Sequence, residues 1–276
     1  MATPINQSVI KAFAMLKCFD SPDQWLTSSE LSRRAGLPEA SGYRMIQTLQ
    51  EVGAVVRGPR GRYRPGMLLV TLSQNVIVPE LLYEASKTLA ADLAERMNVT
   101  VHLGILEDGM VTYVTRATTP ESFQPHTRMG CQLEAYCTGL GKVLLAELPQ
   151  DQLERVLHDG ELVRLTPHTI TSRLHLREKL RDVRAQGFAL DERETREDMS
   201  CIAVPIRDLH GRVIAALSAT EHAQKMTAER HAALLPALVA CAAAITRTVY
   251  PGAGLDGNEA AGEHCAAGSP ERPQAA

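Results

Sequence analysis

The stretch TSSELSRRAGLPEASGYRMIQTLQEVGAVVRGPRGRYRPG, residues 27–66, decides how the chain is read. It opens on Thr27-Ser28-Ser29-Glu30, a capping box in which the Thr27 hydroxyl accepts from the Glu30 amide while the Glu30 side chain reaches back. A short helix through Leu31 and Ala35 follows; Gly36 ends it, and Pro38 stands where a first helical turn tolerates proline. The next apolar periodicity predicts a helix from Pro38 to Glu51 that buries Met45, Ile46 and Leu49 and shows Glu39, Ser41, Arg44, Gln47 and Thr48 on its polar side. Gly53 closes that helix, and Ala54–Arg57 and Arg62–Arg64 read as two short strands around the turn Gly58-Pro59-Arg60-Gly61. A capped helix, a glycine turn, a second helix and a hairpin make a winged helix-turn-helix.

Upstream, Val9, Phe13 and Leu16, with Ala12 and Phe19 widening the stripe, predict an amphipathic helix over Ser8–Phe19. Charge separates this part from the rest. Residues 1–65 hold nine Lys or Arg against five Asp or Glu, a net of +4, and the remaining 211 hold 20 against 27, a net of −7. A basic segment on an acidic body points to a polyanionic partner for the first part alone. Four arginines, Arg57, Arg60, Arg62 and Arg64, fall in the hairpin, where a winged helix grips phosphates or a minor groove. The base-reading candidates are Ser41, Tyr43, Arg44, Gln47 and Thr48 on the second helix, and the backbone-holding candidates are Arg57, Arg60 and Arg62.

Downstream of Gly66 the pattern changes. Residues 67–79 read as a connector, and Glu80–Met97 as a long helix with Leu81, Leu82, Ala85, Leu89, Leu93 and Met97 on one side. Strands are predicted at Val99–Ile105, Met110–Arg116, Phe188–Asp191, Cys201–Arg207 and Arg212–Thr220, with turns at Glu107–Gly109 and Asp208–Gly211. Helices are predicted at Thr138–Leu148, Asp151–His158, Leu174–Gln186 and Thr227–Val249. Hairpin-like strand pairs interleaved with helices indicate an α+β unit with a largely antiparallel sheet. Residues 251–276, rich in Ala, Gly, Pro and Glu, are expected to be a disordered tail.

The 276 residues suffice for two domains. No apolar run approaches the ~20 residues that span a bilayer, and the first residues lack a signal peptide's apolar segment, so a cytoplasmic protein is expected. The six cysteines are scattered without a C-x-x-C pair, so neither a zinc site nor a disulfide framework is suggested, and no metal or other cofactor is expected.

The motifs resemble those of the IclR-type bacterial transcriptional regulators over about residues 5–250. The matching stretches, in the family's order, are QSVIKAF (7–13), SELSRRAGLPEASGYRMIQTLQEVG (29–53), GRYRPG (61–66), TGLGKVLLA (138–146), LTPHTIT (165–171), VRAQGFALDERE (183–194), SCIAVPIRDLHGRVIAALS (200–218) and MTAER (226–230). The resemblance implies a winged helix-turn-helix DNA-binding domain at 1–66, a connecting helix, and a GAF-like effector-binding domain at 80–250, in a homodimer or a dimer of dimers. It implies a non-enzymatic regulator, repressor or activator, that binds double-stranded operator DNA and answers to a small molecule. Glu39 and Ala40 stand where the family often has a basic residue and a serine, and Gly42 replaces a common aliphatic.

In Thr138-Gly139-Leu140-Gly141-Lys142, Thr138 suits a helix N-cap. The glycines either open bare amides at the positive helix end to a carboxylate or allow close helix-to-sheet packing. Asp191 and Cys201 resemble elements of the family's pocket, and Ser218 and Thr220, two apart on one strand, face one side. Beside an ionised Asp191 the ligand has to bring a donor, so the expected effector is a hydroxylated small organic acid bound acid end to the Gly139 amides, and Tyr136, which replaces a histidine common before the loop, admits an aromatic acid. The expected effector site is therefore Tyr136, Thr138, Gly139, Leu140, Asp191, Cys201, Ser218 and Thr220. Two other classes compete: an enzyme with Cys201 as nucleophile, for which no local base pattern exists, and a DNA-packaging protein, which an acidic second unit does not suit.

Overall fold

A computed structural model describes residues 5–21, 23–159 and 162–251, so the tail expectation beyond Pro251 lies outside the described residues. The chain folds as two compact units, Met1–Ile77 and Val78–Ala276.

In the first unit, α1 (Gln7–Leu16), α2 (Ser28–Arg34) and α3 (Glu39–Glu51) precede a hairpin of β2 (Val55–Arg57) and β3 (Arg62–Pro65). Both arms of the capping box form: the Thr27 amide donates to Glu30 Oε2 at 2.7 Å and the Glu30 amide to Thr27 Oγ1 at 3.2 Å. Gly36 takes φ +64° at the turn, a conformation costly for any residue with a Cβ. Gly42 serves a tertiary contact, since a Cβ there would lie 1.9 Å from Ser32 Oγ, where α3 crosses α2. The core collects Met15, Leu26, Leu31, Ile46, Leu49, Val55 and Tyr63.

Three expectations are corrected here. The face of α1 that meets the core carries Met15, with Ala12 and Leu16 partly buried, whereas Val9 and Phe13 are 52% and 59% exposed. Periodicity located a stripe but not the side that finds a partner. Second, a two-residue strand β1 (Leu26–Thr27) pairs antiparallel with β3, so the wing is a three-stranded sheet of order β1-β3-β2. Third, α4 (Met67–Ser73), read as connector, packs on the first unit through Leu68 and Leu69.

The second unit is a six-stranded antiparallel sheet of order β6-β5-β4-β9-β8-β7. Its strands are β4 (Thr100–Glu107), β5 (Met110–Ala117), β6 (Gln132–Glu134), β7 (Ala189–Glu192), β8 (Met199–Arg207) and β9 (Val213–His222), of which β6 had no strand signal. One face packs on α5 (Val78–Met97) and α9 (Ala228–Val249), burying Leu82, Leu93, Leu103, Val204, Leu217, Leu234 and Ile245 together. Leu81, expected on that side, is 52% exposed. The other face carries α6 (Gly139–Ala146), α7 (Gln150–Asp159) and α8 (Arg173–Gln186), with Leu140, Leu144, Leu157, Leu176 and Leu180 buried against Val111, Ala203 and Ala216. By length and composition α9 is apolar enough to cross a membrane, against the expectation that no such run exists. Its Leu234, Leu238, Cys241, Ala242 and Ile245 are instead spent on the core.

Candidate functional site

On α3, Tyr43, Arg44 and Thr48 are exposed, and Ser41 and Gln47 are half-buried. Thr48 Oγ1 donates to the Arg44 carbonyl at 3.0 Å, and Arg44 is exposed. Gln47 Nε2 donates to Tyr63 Oη at 2.9 Å, and Tyr63 is buried on β3, so this bond ties the helix to the wing. The wing turn is a 3-10 segment, Pro59–Gly61, in which Arg60 itself takes φ +57° and stands exposed at the tip.

Trp25, which no sequence pattern singled out, organises the other wing arginines. A Cβ on Gly58 would lie 2.1 Å from its ring, the Arg64 guanidinium lies 4.9 Å from the ring centroid, and Arg62 Nη1 donates to the Trp25 carbonyl at 3.0 Å. Arg62 is thus partly engaged within the unit, while Arg57 and Arg60 are displayed. The net result is a helix and a hairpin presented side by side with five exposed arginines, of which Arg62 and Arg64 also contact Trp25 while Arg44, Arg57 and Arg60 stand clear of it.

In the second unit, residues directly opposite on antiparallel strands share a face. Register therefore places Thr100, Thr220, Cys201 and Asp191 in one row across β4, β9, β8 and β7, and Arg116, His102, Ser218 and Ala203 in the next across β5, β4, β9 and β8. Asp191, Cys201, Ser218 and Thr220 are brought together on the α6 face, all buried. Thr138 caps α6, accepting from the Gly141 amide at 3.0 Å. Gly139 lies directly over β8, where a Cβ would come within 2.7 Å of Cys201 Sγ, and Gly141 is as tightly held against the backbone of Ala135. Of the two roles open to these glycines, this geometry is close packing. Leu140 packs at Gly104 of β4.

Tyr136 is not part of this cluster's floor. Its hydroxyl donates to the Val163 carbonyl at 2.8 Å, and its ring lines a separate cavity of about 530 Å³ with Leu145, Leu148, Val156 and Leu157.

Electrostatics at the face are set by burial. Asp191 is pushed up to about 6 by burial, against the opposing pull of Lys142 and a hydrogen bond from Thr195 Oγ1 at 2.6 Å. Lys142, on α6 and fully buried, makes a direct ion pair with Glu194. Neither was a sequence candidate, because 52 residues separate them. Burial, and then the charge of Asp191, raise the Cys201 thiol to about 12, which removes the thiolate that a nucleophile requires. His102 is held neutral, down to about 3, by burial and by Arg116. It meets the Tyr113 ring edge-on at 5.0 Å and shares a 2.7 Å hydrogen bond with Thr127. The loop over residues 118–131 thereby closes on the sheet, with Ser122 and the Phe123 carbonyl bonded to Thr100.

Among the described residues no group of three His, Cys, Asp or Glu side chains is placed to hold a metal.

Comparison with known proteins agrees with both halves of this geometry. A family model described as the IclR helix-turn-helix domain matches residues 8–59, and one described as the bacterial transcriptional regulator IclR C-terminal domain matches residues 74–247. The HTH-type transcriptional regulator XynR of Escherichia coli is 33% identical over 216 residues, 78% of this chain and 86% of that protein. Among solved structures, the Thermotoga maritima IclR superposes with a TM-score of 0.57 at 27% identity, covering 88% of this chain and 98% of that one. An IclR homologue from Microbacterium hydrocarbonoxydans, solved in complex with 4-hydroxybenzoate, gives 0.59 at 26% identity over 89% and 100% of the two chains.

Proposed function

The chain belongs to the IclR family of bacterial transcriptional regulators, and from that premise we propose that it holds an operator as a homo-oligomer and changes that hold when a small organic acid fills the α6 face. The observation that carries the reading is the display on the first unit: Tyr43, Arg44 and Thr48 exposed along α3, beside a wing locked to it through Gln47 and Tyr63. An α-helix fits the major groove and reads base edges there, while a wing grips the neighbouring backbone. Ser41, Tyr43, Arg44, Gln47 and Thr48 face the bases; Arg57 and Arg60, with the remaining donors of Arg62, face phosphates or the minor groove. Work on chromosomal DNA supports a cytoplasmic protein.

The 4-hydroxybenzoate held by the Microbacterium relative supports a hydroxylated aromatic acid as effector and a catabolic operon as target. Ser218, Thr220 and Asp191 suit a ligand hydroxyl, and the protonated, buried Cys201 supports binding over turnover. The apolar residues exposed on and just before α1, Ile5, Val9 and Phe13, support a second copy of this chain as their cover.

Footprinting of the promoter adjoining the gene tests this. Arg44→Ala is expected to cost about 1–3 kcal/mol and to relax base preference at one position. Arg60→Ala weakens all sequences alike and lowers the salt slope by about one. Equal binding of operator and random DNA by the unmodified protein would return it to the packaging class.

A further inference from the structure

A ligand carboxylate in the second unit needs cationic or amide donors, and most donors near α6 are already spent. The Gly141 amide goes to Thr138 Oγ1, Gly139 is pressed on Cys201, and Lys142 is paired with Glu194. One cation on the same face is incompletely satisfied. Arg116 lies opposite His102 in register, in the row that continues to Ser218. Its Nη2 donates to Gln124 Oε1 at 3.0 Å, while its Nε is buried with no partner at all. Among the described residues the only other buried side-chain nitrogen or oxygen in that condition is Glu194 Oε2, an acceptor. A buried donor left unmade is costly, and groups left so mark sites with a missing partner.

We propose that Arg116 takes the carboxylate of the effector in a two-pronged contact through Nε and Nη2, in exchange for Gln124. The inference rests on the effector reading above and moves its acid end from the α6 amides to β5. The Nε–Nη2 edge of a guanidinium matches the two oxygens of a carboxylate, and such charge-assisted pairs exceed neutral ones in strength. Gln124 supplies one neutral oxygen to this edge and leaves the other prong empty. Among the described residues no carboxylate is paired with Arg116: His102, opposite it, is held neutral, and Asp191 sits four strands away, roughly 19 Å at about 4.8 Å per strand. With its acid end on Arg116, the ligand's polar end points along the row to Ser218.

The exchange also gives the ligand a handle on the loop. Gln124 Nε2 is bonded to the Thr119 carbonyl at 2.7 Å and the Ser122 carbonyl at 3.0 Å. Ser122 and Phe123 in turn close on Thr100. Displacing Gln124 therefore disturbs the segment that covers the sheet, which is a differential contact between two states of the kind a ligand-driven change requires.

The test is titration of the full chain with 4-hydroxybenzoate, benzoate and lactate, each beside its primary amide, followed by melting temperature and calorimetry. At least one acid is expected to raise the melting temperature and its amide to do nothing. Arg116→Gln should weaken that acid at least tenfold, Arg116→Lys less, and Gln124→Ala should bind it several-fold more tightly. Wild-type affinity in Arg116→Gln, equal binding of acid and amide, weaker binding in Gln124→Ala, or no binding by any of the three acids overturns the assignment. Should Arg116→Gln fail to fold, the amide and Gln124→Ala arms decide alone. Operator footprinting of the same proteins keeps the two readings apart, since loss of acid binding with an intact footprint concerns Arg116 only.

Discussion

The two units hold their polar groups in opposite ways. In the first, the side chains proposed to face DNA are displayed: Tyr43, Arg44, Arg57 and Arg60 are exposed, and a core of aliphatic residues with Tyr63 fixes the frame beneath them. In the second, a polar cluster beside α6 is inside, where Asp191, Glu194, Lys142, Ser218 and Thr220 are all buried and the charged ones are held by partners. A surface read by a long polyanion can keep its charges in water. A face built to discriminate a small molecule has to exclude water, and its groups must then satisfy one another until the ligand replaces a partner. Substitution should therefore harm the first unit's binding and the second unit's stability.

The strongest way to break that contrast is Lys142→Met, which strands Glu194 as an uncompensated buried charge. A loss of about 3–5 kcal/mol in urea unfolding is expected, with much of it restored when Lys142→Met is combined with Glu194→Gln. A cost below about 1 kcal/mol would mean that the second unit tolerates open charge as the first does.

Next comes pH. Asp191 is pushed up from its usual 3.8 to about 6, with Lys142 and Glu194 facing it and Cys137 and Cys201 nearby. Between those values the folded state holds a proton that the unfolded chain has lost. This residue's contribution is therefore fully present below pH 3.8 and falls as pH rises through 6. At about 1.4 kcal/mol per unit, the stability of the protein relative to Asp191→Asn should decline by up to about 3 kcal/mol over that window. A flat difference would remove the burial argument.

Smaller effects belong to the first unit. Gly42→Ala gains helix propensity but drives a Cβ into Ser32, and a net loss of about 1–3 kcal/mol is expected, partly recovered with Ser32→Gly. Tyr63→Phe removes the bond from Gln47 and should cost about 1 kcal/mol. Its sharper reading is operator affinity at fixed salt, which should fall if the bond sets the angle between helix and wing.

What could be read without coordinates was local. The Thr27–Glu30 box, the glycine stops at Gly36 and Gly53 and the wing turn were legible because each is decided by a few neighbouring residues. The faces of β8 and β9 followed from the two-residue period of a strand. Less was legible where a residue's partner lies far along the chain. Nothing near Trp25 says that Gly58, Arg62 and Arg64 will gather on it, and nothing in the stripe of α1 says that Met15, not Phe13, meets the core. Tyr136 was placed by its neighbours in the sequence and turned to Val163 by its neighbours in space.

The sequence by itself determined the division of labour: a basic winged helix-turn-helix followed by an acidic α+β unit, because charge, periodicity and turn chemistry act over short spans. Only the tertiary structure decided which polar groups are free. Strand register set Arg116 beside His102, α6 carried Lys142 to Glu194, and the crossing of α2 and α3 claimed Gly42, each a pairing of residues that backbone geometry alone brings together.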